Sequence, residues 1–200
     1  MLVSYPSKQH LNTRIQPGER KLHFYSKGEE IPLLTQGVWQ VSRGFVQLMK
    51  MDSEGEETWL GWAHTDHFFG LWLTSLDNFQ ARAHGDVYLQ WYSLKEIENS
   101  PEIAQLVLNQ TISRLRQTEE LVAIAGLRRV EDKLISLLKL LADHIGENVN
   151  SQKRLTVRFT HQNLASAIGT TRVTVTRLLG DLQKQGFISF DEGRHLMVKL

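Results

Sequence analysis

The chain contains no cysteine among its 200 residues, and this absence removes several kinds of site at once. Without thiols the protein cannot form disulfides, thiolate zinc sites or cysteine-ligated iron–sulfur clusters. Long apolar runs are missing as well: no stretch reaches membrane-spanning length, and the segment MLVSYPSKQH lacks the apolar core of a signal peptide. These absences predict a cytoplasmic protein with no membrane contact.

Two further patterns are absent, and both belong to enzymes. No nucleophile–base pairing and no glycine-rich phosphate loop can be found, so the sequence predicts that the protein is not an enzyme. What remains is a composition of 41% hydrophobic and 22% charged residues, which is typical of a globular protein. The length is sufficient for one large or two small domains, each with its own core.

The most informative segment is THQNLASAIGTTRVTVTRLLGDL, residues Thr160 to Leu182. Thr160 suits the N-cap of a first helix, and Asn163 stands where its side chain can reach back to that cap. Gly169 falls where a connecting turn needs a positive φ, and Thr171 can cap a second helix. This spacing predicts a helix-turn-helix.

The predicted second helix has two different faces. Its apolar side chains repeat at helical spacing and form one stripe, made of Val175, Leu178, Leu179 and Leu182. The opposite face carries Arg172, Val173, Thr176 and Arg177. A plain helical hairpin with solvated arginines is the alternative, but the combination of caps, glycine and stripe favours a helix that enters the major groove of DNA.

The residues around this helix pair predict a winged form of the motif. Gly186 ends the second helix, and the strands FISF and HLMVKL flank a turn at Asp191-Glu192-Gly193 with Gly193 in the left-handed position. LTVRF, residues 155–159, is predicted as a further strand before Thr160. The wing offers three side chains to DNA phosphates: Arg194, His195 and Lys199.

The net charge of +1 hides an uneven distribution. Residues 151–200 contain eight Lys or Arg against three Asp or Glu, whereas residues 1–150 contain fifteen against nineteen. A basic C-terminal module on an acidic body is typical of a protein that binds a polyanion at one end.

Residues 1–100 are predicted to be rich in β-strands and to form a sensor-like domain. Apolar residues alternate in VWQV, FVQLMKM, TWLGWA and DVYLQWYSL, with breaks at 43–44, 52–55 and 84–86. Evenly spaced short strands indicate an antiparallel β-roll of jelly-roll type. The predicted fold class is therefore α+β, with a roll first and the winged helix-turn-helix last.

Helical periodicity begins at Pro101, with Ser100 as its cap. A heptad-like seam follows at Leu108, Ile112, Leu115, Glu119, Val122 and Gly126. Such a seam on a long helix usually meets a partner helix, although packing on the chain's own roll is the alternative. Residues 101–126 are predicted as a dimerisation helix with a hinge at Gly126, and residues 127–200 as the DNA-binding domain.

This order of roll, long helix and C-terminal winged helix-turn-helix resembles the CRP/FNR family of transcription regulators. AIGTTRVTVTRLLGDL is very similar to the recognition helix of the NtcA-like nitrogen-control branch, and SRLRQTE on the long helix also resembles that branch. The segment VWQVSRGFVQLMKMDSEGEETWLGWAHTDHFFG resembles, more loosely, the roll hairpins that lead to a Phe-Gly turn.

The resemblance implies a homodimer on double-stranded DNA, with one recognition helix for each half-site about 34 Å apart. It implies groove contacts by Arg172 and Arg177, and a GTA-type half-site, because Val173 can pack on a thymine methyl but cannot accept a hydrogen bond from cytosine. Thr160, Thr171, Thr174, Thr176 and Arg194 complete the predicted DNA contacts. RNA polymerase is a further implied partner, and activation the implied mode.

The effector of the roll is harder to predict. Cyclic-nucleotide binders of the family carry a Gly-Glu pair and a nearby arginine after the Phe turn, whereas Leu71 and Trp72 follow Gly70 here, so no cyclic-nucleotide response is expected. The nitrogen branch binds 2-oxoglutarate, and the positions that match or adjoin its site are Phe69, Gly70, Leu71, Arg82, Arg114 and Glu119. A dicarboxylate effector and a roll without any ligand both stay open.

A second class of function rests on histidines. His64 and His67 are three residues apart and His84 follows on a later strand, as in the metal clusters of cupin-type enzymes or a heme-binding sensor. Short histidine spacings are weak signals, so surface loop histidines are the favoured interpretation and no metal ligand is assigned.

Overall fold

A computed structural model describes residues 20–199 of the chain. The predicted roll begins at residue 1 and the predicted DNA-binding domain ends at residue 200. Residues 1–19, including the segment MLVSYPSKQH, and residue 200 therefore lie outside the described residues.

The N-terminal part of the described chain is an antiparallel two-sheet roll, as predicted. Its seven strands are β1 Leu22–Tyr25, β2 Gly37–Arg43, β3 Phe45–Met51, β4 Glu57–His64, β5 Phe68–Phe69, β6 Phe79–Ala83 and β7 Val87–Ser93. One sheet has the strand order β1-β7-β2-β5, and the other has the order β4-β3-β6. We call residues 22–93 the roll.

The roll core lies between these two sheets. Fully buried side chains from both sheets fill it, among them Val41, Val46, Leu48 and Leu89. Alternating patterns predicted β2, β3, β4 and β7, but not β1, β5 and β6. Those three strands are short or half-exposed, so their sequences show no alternation long enough to detect.

Two helices leave the roll at successive caps. Helix α1, Leu94–Asn99, starts in a capping box between Ser93 and Glu96. Helix α2, Pro101–Ala125, has Ser100 as its N-cap and proline in its first turn, as the sequence predicted. One side of α2 packs on the roll through Val107, Gln117 and Ile124, all buried.

Helix α3, Val130–Ile145, begins after a short break that follows Gly126. The second apolar stripe of the sequence lies on this helix and is buried at Leu134, Leu137, Leu138 and Leu141. In the described chain, no helix combines the length and the apolarity that a bilayer crossing requires.

The C-terminal module, residues 130–199, is called the head. After α3 come β8 Gly146–Val149, β9 Gln152–Leu155, α4 His161–Ile168, α5 Arg172–Lys184, β10 Ile188–Phe190 and β11 Leu196–Val198. The four strands form one antiparallel sheet of order β10-β11-β9-β8. Buried side chains of α3, α4, α5 and this sheet share one core.

Two local predictions in the head were wrong. The strand predicted at 155–159 ends at Leu155, because it pairs earlier in sequence with the unpredicted strand β8. The left-handed residue of the wing turn is Arg194, with φ 59°, rather than Gly193. Asp191 explains the shift, because its carboxylate accepts from the backbone N–H of His195 at 2.6 Å and closes the turn around Arg194.

The head packs directly on the roll. The Phe45 ring of the roll lies 5.5 Å from the Phe159 ring of the head, and His84 Nε2 is 2.9 Å from the carbonyl oxygen of Arg158. Close by, the rings of Trp62 and His144 meet edge to face at 5.5 Å. Roll and head are therefore in contact at two places.

Candidate functional site

The turn between α4 and α5 has the features that the sequence predicted. The Thr160 hydroxyl accepts a hydrogen bond from the backbone N–H of Asn163, and the Asn163 side chain reciprocates in a capping box. Gly169 takes the left-handed conformation with φ 66° and ψ 50°, and Thr171 caps α5 by accepting from the backbone N–H of Thr174. These local contacts fix the angle at which α5 leaves the turn.

Helix α5 separates its two faces sharply. Val175, Leu178, Leu179 and Leu182 are buried, which anchors the helix to the head. Arg172, Val173, Thr176 and Arg177 are exposed on the other side, and 78% of Val173 is open to solvent. An apolar side chain this exposed gains nothing within the chain, so it is available to pack on a partner.

The arginines of this face are not held by strong internal contacts. Arg177 reaches Asp181 only at 3.5 Å, in an exposed pair that contributes little. The Thr176 hydroxyl donates to the carbonyl oxygen of Arg172 at 2.9 Å, and it also lies 2.7 Å from His161 Nδ1. Because Thr176 has already used its only hydrogen, His161 Nδ1 donates to it.

His161 is a member of this surface that the sequence reasoning missed. It stands at the first position of α4, directly after the cap Thr160, and that position next to the turn is the signal that was available. The remaining predicted contacts are Thr160, Thr171 and Thr174, which surround the helix starts and use their hydroxyls in caps.

One of the three wing side chains predicted to reach phosphates, His195, is engaged within the head. Arg194 is exposed at the tip and Lys199 is exposed after β11, whereas His195 Nδ1 lies 2.8 Å from the carbonyl oxygen of Leu155. Asp191 is bound to Arg154 Nε at 2.6 Å, and this hydrogen bond lowers the pKa of the Asp191 carboxyl. His195 and Asp191 thus shape the wing.

A cavity of about 320 Å³ lies between the roll and α2. The strands contribute Leu48, Leu60, Phe68, Phe69 and Phe79. The loop after β5 contributes Gly70, Leu73, Thr74 and Leu76. Helix α2 closes it with Thr111, Arg114, Leu115 and Thr118. The lining is predominantly apolar, and among residues 20–199 Arg114 is its single charged residue.

Three of the six predicted effector residues come together in this cavity: Phe69, Gly70 and Arg114. Leu71 lies in the short 3-10 helix Leu71–Leu73 and does not line the cavity. Arg82 is bound to Glu57 at 2.7 Å, because both side chains project from the same face of the β4-β3-β6 sheet. Glu119 is exposed on α2, outside the lining.

The histidines do not form the metal cluster of the alternative interpretation, and the favoured interpretation as surface histidines was wrong for His67, which is buried. The rings of His64 and His67 are 3.9 Å apart, but His84 is engaged with the head instead. Burial lowers the pKa of His64 to about 3 and that of His67 to about 4. Within residues 20–199, no group of three histidine or carboxylate side chains has the geometry to hold a metal ion.

Comparison with known proteins places these features in a family. The family model described as a Crp-like helix-turn-helix domain matches residues 132–199. The global nitrogen regulator of Nostoc sp. (strain PCC 7120) is 31% identical over 161 residues, which cover 76% of this chain and 72% of that protein. The regulatory protein CysR of Synechococcus elongatus (strain PCC 7942) is 30% identical, with 79% and 74% covered.

Solved structures agree on the fold. A CRP/FNR-family transcriptional regulator from Thermus thermophilus superimposes with a TM-score of 0.70 at 21% identity, covering 89% of this chain and 93% of that one. Fold, exposed recognition helix and relatives together define a DNA-binding transcription regulator, and such proteins are not enzymes. The cupin-like alternative is not favoured.

The particular family follows from relatives that match about three quarters of the chain. The chain belongs to the CRP/FNR family of transcription regulators and lies near the nitrogen-control branch, as its recognition helix predicted.

Proposed function

We propose that the protein is a homodimer that reads a palindromic, GTA-type DNA site with one α5 helix in each half-site. The observation that carries this proposal is the outward face of α5, where Arg172, Val173 and Arg177 are exposed opposite a buried stripe. Each arginine can bind guanine O6 and N7 with two hydrogen bonds, and Val173 can cover a thymine methyl.

The other predicted contacts support the docked helix without reading sequence. Thr160, Thr171, Thr174 and Thr176 lie around the helix starts, where their hydroxyls and nearby backbone N–H groups can face phosphates. Arg194 at the wing tip can reach the flanking phosphate backbone. These contacts would hold the register of α5 in the groove.

Dimerisation through α2 is supported by its exposed apolar seam. Leu108, Ile112, Leu115 and Val122 are each at least 40% exposed, at spacings of four, three and seven residues. A heptad seam of this kind is stabilised when it meets an equivalent helix. Two chains joined here would place two recognition helices on one DNA duplex.

Regulation would pass through the cavity between the roll and α2. Phe69, Gly70 and Arg114 line it, and Leu115 belongs both to the cavity and to the seam. A ligand with different affinity for two arrangements of α2 would therefore shift the DNA-binding population. We propose that the DNA-bound protein acts in the cytoplasm and activates transcription through contact with RNA polymerase.

The test is a fluorescence anisotropy titration with a labelled duplex that holds two inverted GTA half-sites one helical turn apart. We expect tight, salt-sensitive binding to this duplex. A duplex with five additional base pairs between the half-sites is the control, because it turns one half-site to the opposite side of the helix. Equal affinity for the palindrome and a scrambled duplex would contradict the proposal.

Cyclic AMP provides a second test. Residues 71–81, which follow the Phe-Gly turn, contain neither the arginine nor the glutamate that hold phosphate and ribose in cyclic-nucleotide binders. We expect cyclic AMP to leave the anisotropy curve unchanged, and a tighter curve would contradict this part of the proposal.

A further inference from the structure

The charge balance of the cavity between the roll and α2 indicates a class of ligand. Arg114 is the one charged residue of the lining, and its partners are backbone and amide oxygens rather than a carboxylate. Burial lowers the pKa of its guanidinium to about 10, so it stays protonated at neutral pH. The N–H groups that it does not use within residues 20–199 are accessible rather than buried, so they can bind an anion that enters the cavity.

The guanidinium is held in place but only partly satisfied. Its Nη1 donates to the carbonyl oxygen of Trp62 at 2.7 Å and to Gln117 Oε1 at 2.8 Å. Within residues 20–199, its Nε and Nη2 groups have no hydrogen-bond acceptor. Three of the five N–H donors are therefore free, and a carboxylate can accept two of them side by side.

Gly61 makes this anchor possible. It lies in β4 opposite Leu48, beside a register shift that falls between Leu48 and Met49, and its φ is 126°. A Cβ atom there would stand 2.6 Å from Gln117 Oε1 and 3.3 Å from Arg114 Nη1. The bulge and the missing side chain together let Arg114 and Gln117 approach the strand.

A second cation for a dicarboxylate is missing from the cavity. Arg82, the candidate from the roll, does not line it and is paired with Glu57. Thr111 and Thr118 donate their hydroxyl hydrogens to the helix backbone at 2.8 and 2.9 Å. The Thr74 hydroxyl accepts from the backbone N–H of Leu76 and can still donate, which provides a neutral donor but no second positive charge. The rest of the lining is mainly Leu and Phe side chains, which favour an apolar ligand body.

We infer that this cavity binds an apolar monocarboxylic acid, with the carboxylate on Arg114 and the hydrocarbon between the roll and α2. The inference rests on the proposed function, because the cavity is the effector site proposed above. Since α2 contributes both Arg114 and Leu115, the occupied cavity would fix the position of the helix that carries the dimer seam.

Calorimetric titration of the full chain with three eight-carbon probes tests the inference. Octanoate has one carboxylate, suberate has two, and 1-octanol has none. We expect octanoate to bind at least tenfold more tightly than the other two, because a hydrogen bond to a charged group contributes about that factor. Hexanoate should bind about fourfold more weakly for each methylene removed. Tighter binding of suberate or 2-oxoglutarate, equal binding of octanoate and octanol, or no binding of any probe would overturn it.

Two sets of variants locate the site. Arg114→Gln should remove the preference of octanoate over octanol while octanol binding persists. Leu76 lines the cavity mouth and is 41% exposed, so Leu76→Asp is expected to fold even if the first variant does not. It should weaken octanoate at least tenfold relative to its neutral partner Leu76→Asn. Equal octanoate affinity of these two proteins would contradict the location.

The DNA titration separates this inference from the proposed function. A protein that binds the GTA palindrome but shows no preference for octanoate overturns the ligand class and leaves the regulator intact. A protein that binds octanoate with the expected preference but no palindrome supports the ligand class and overturns the proposed DNA target.

Discussion

Helices α2 and α3 follow each other in the chain and both carry an apolar stripe, but the stripe of α2 is exposed and that of α3 is buried. Leu134, Leu137 and Leu141 of α3 are fully buried in the head. Leu108 and Val122 of α2 are 53% and 67% exposed. The same helical pattern therefore marks a surface that is buried within the chain in α3 and a surface that is exposed to solvent in α2.

This difference shows that hydrophobic periodicity predicts an apolar helix face but does not show whether that face packs within the chain or against another chain. For α3 the partners are α2, which precedes it in the chain, and α4 and the head sheet, which follow it. For α2 the buried residues are Val107, Gln117 and Ile124, whereas Leu108, Ile112, Leu115 and Val122 of the seam are exposed. A second copy of the chain is the proposed occupant of that seam.

The largest expected effect is on the open stripe. The double substitution Leu108→Glu and Val122→Glu should prevent dimerisation by placing charge at the seam. Affinity for the palindrome should then fall by about a hundredfold to ten-thousandfold, because a joined pair of heads binds with that advantage. Light scattering measures the mass, and anisotropy measures the DNA affinity.

The matched control for this variant is Leu34→Glu, since Leu34 is 50% exposed in a loop of the roll, away from the seam. It should leave both the mass and the DNA affinity unchanged. If the double variant remained dimeric, the exposed stripe of α2 would not be the dimer interface, and the proposed difference between α2 and α3 would be wrong.

The second largest effect is expected for the buried stripe of α3. Leu137→Ala in α3 should lower the free energy of unfolding by about 2–5 kcal/mol, because it leaves a cavity in a packed core. Urea unfolding measures the change, with Lys139→Ala on the exposed side of the same helix as control. A loss below about 0.5 kcal/mol would show that α3 is less tightly packed than its burial indicates.

Arg177→Ala should act on DNA binding and not on stability. If its base contact is bidentate, specific binding weakens by about 1–3 kcal/mol, whereas binding to random DNA changes little. Unfolding should be unaffected, since the Arg177–Asp181 pair is exposed. Lys184→Ala is the control on the same helix. An equal loss on random DNA would show that Arg177 contacts only phosphate.

Helix α5, the roll strands and the cavity show how much of the fold and of the candidate site can be predicted from the sequence. Caps, the Gly169 turn and the stripe of α5 were predictable because each depends on residues within four positions of one another. Strands β1, β5 and β6 were not, since their pairing depends on distant strands. Half of the predicted effector residues, three of six, line the cavity. Arg82 does not, for the same reason: its partner Glu57 lies 25 positions away in the sequence.

The smallest effect is expected for the N-cap of α4 in the head. Thr160→Ala removes the hydroxyl that accepts from the backbone N–H of Asn163, and this loss should lower the free energy of unfolding by about 1 kcal/mol. Thr160→Ser keeps the hydroxyl and should recover most of that stability. If α4 is held mainly by its buried stripe, as Leu164 and Ile168 indicate, thermal unfolding will stay cooperative in both variants. An unfolding curve that splits into two transitions would mean that the cap, and not packing, holds α4 in the head.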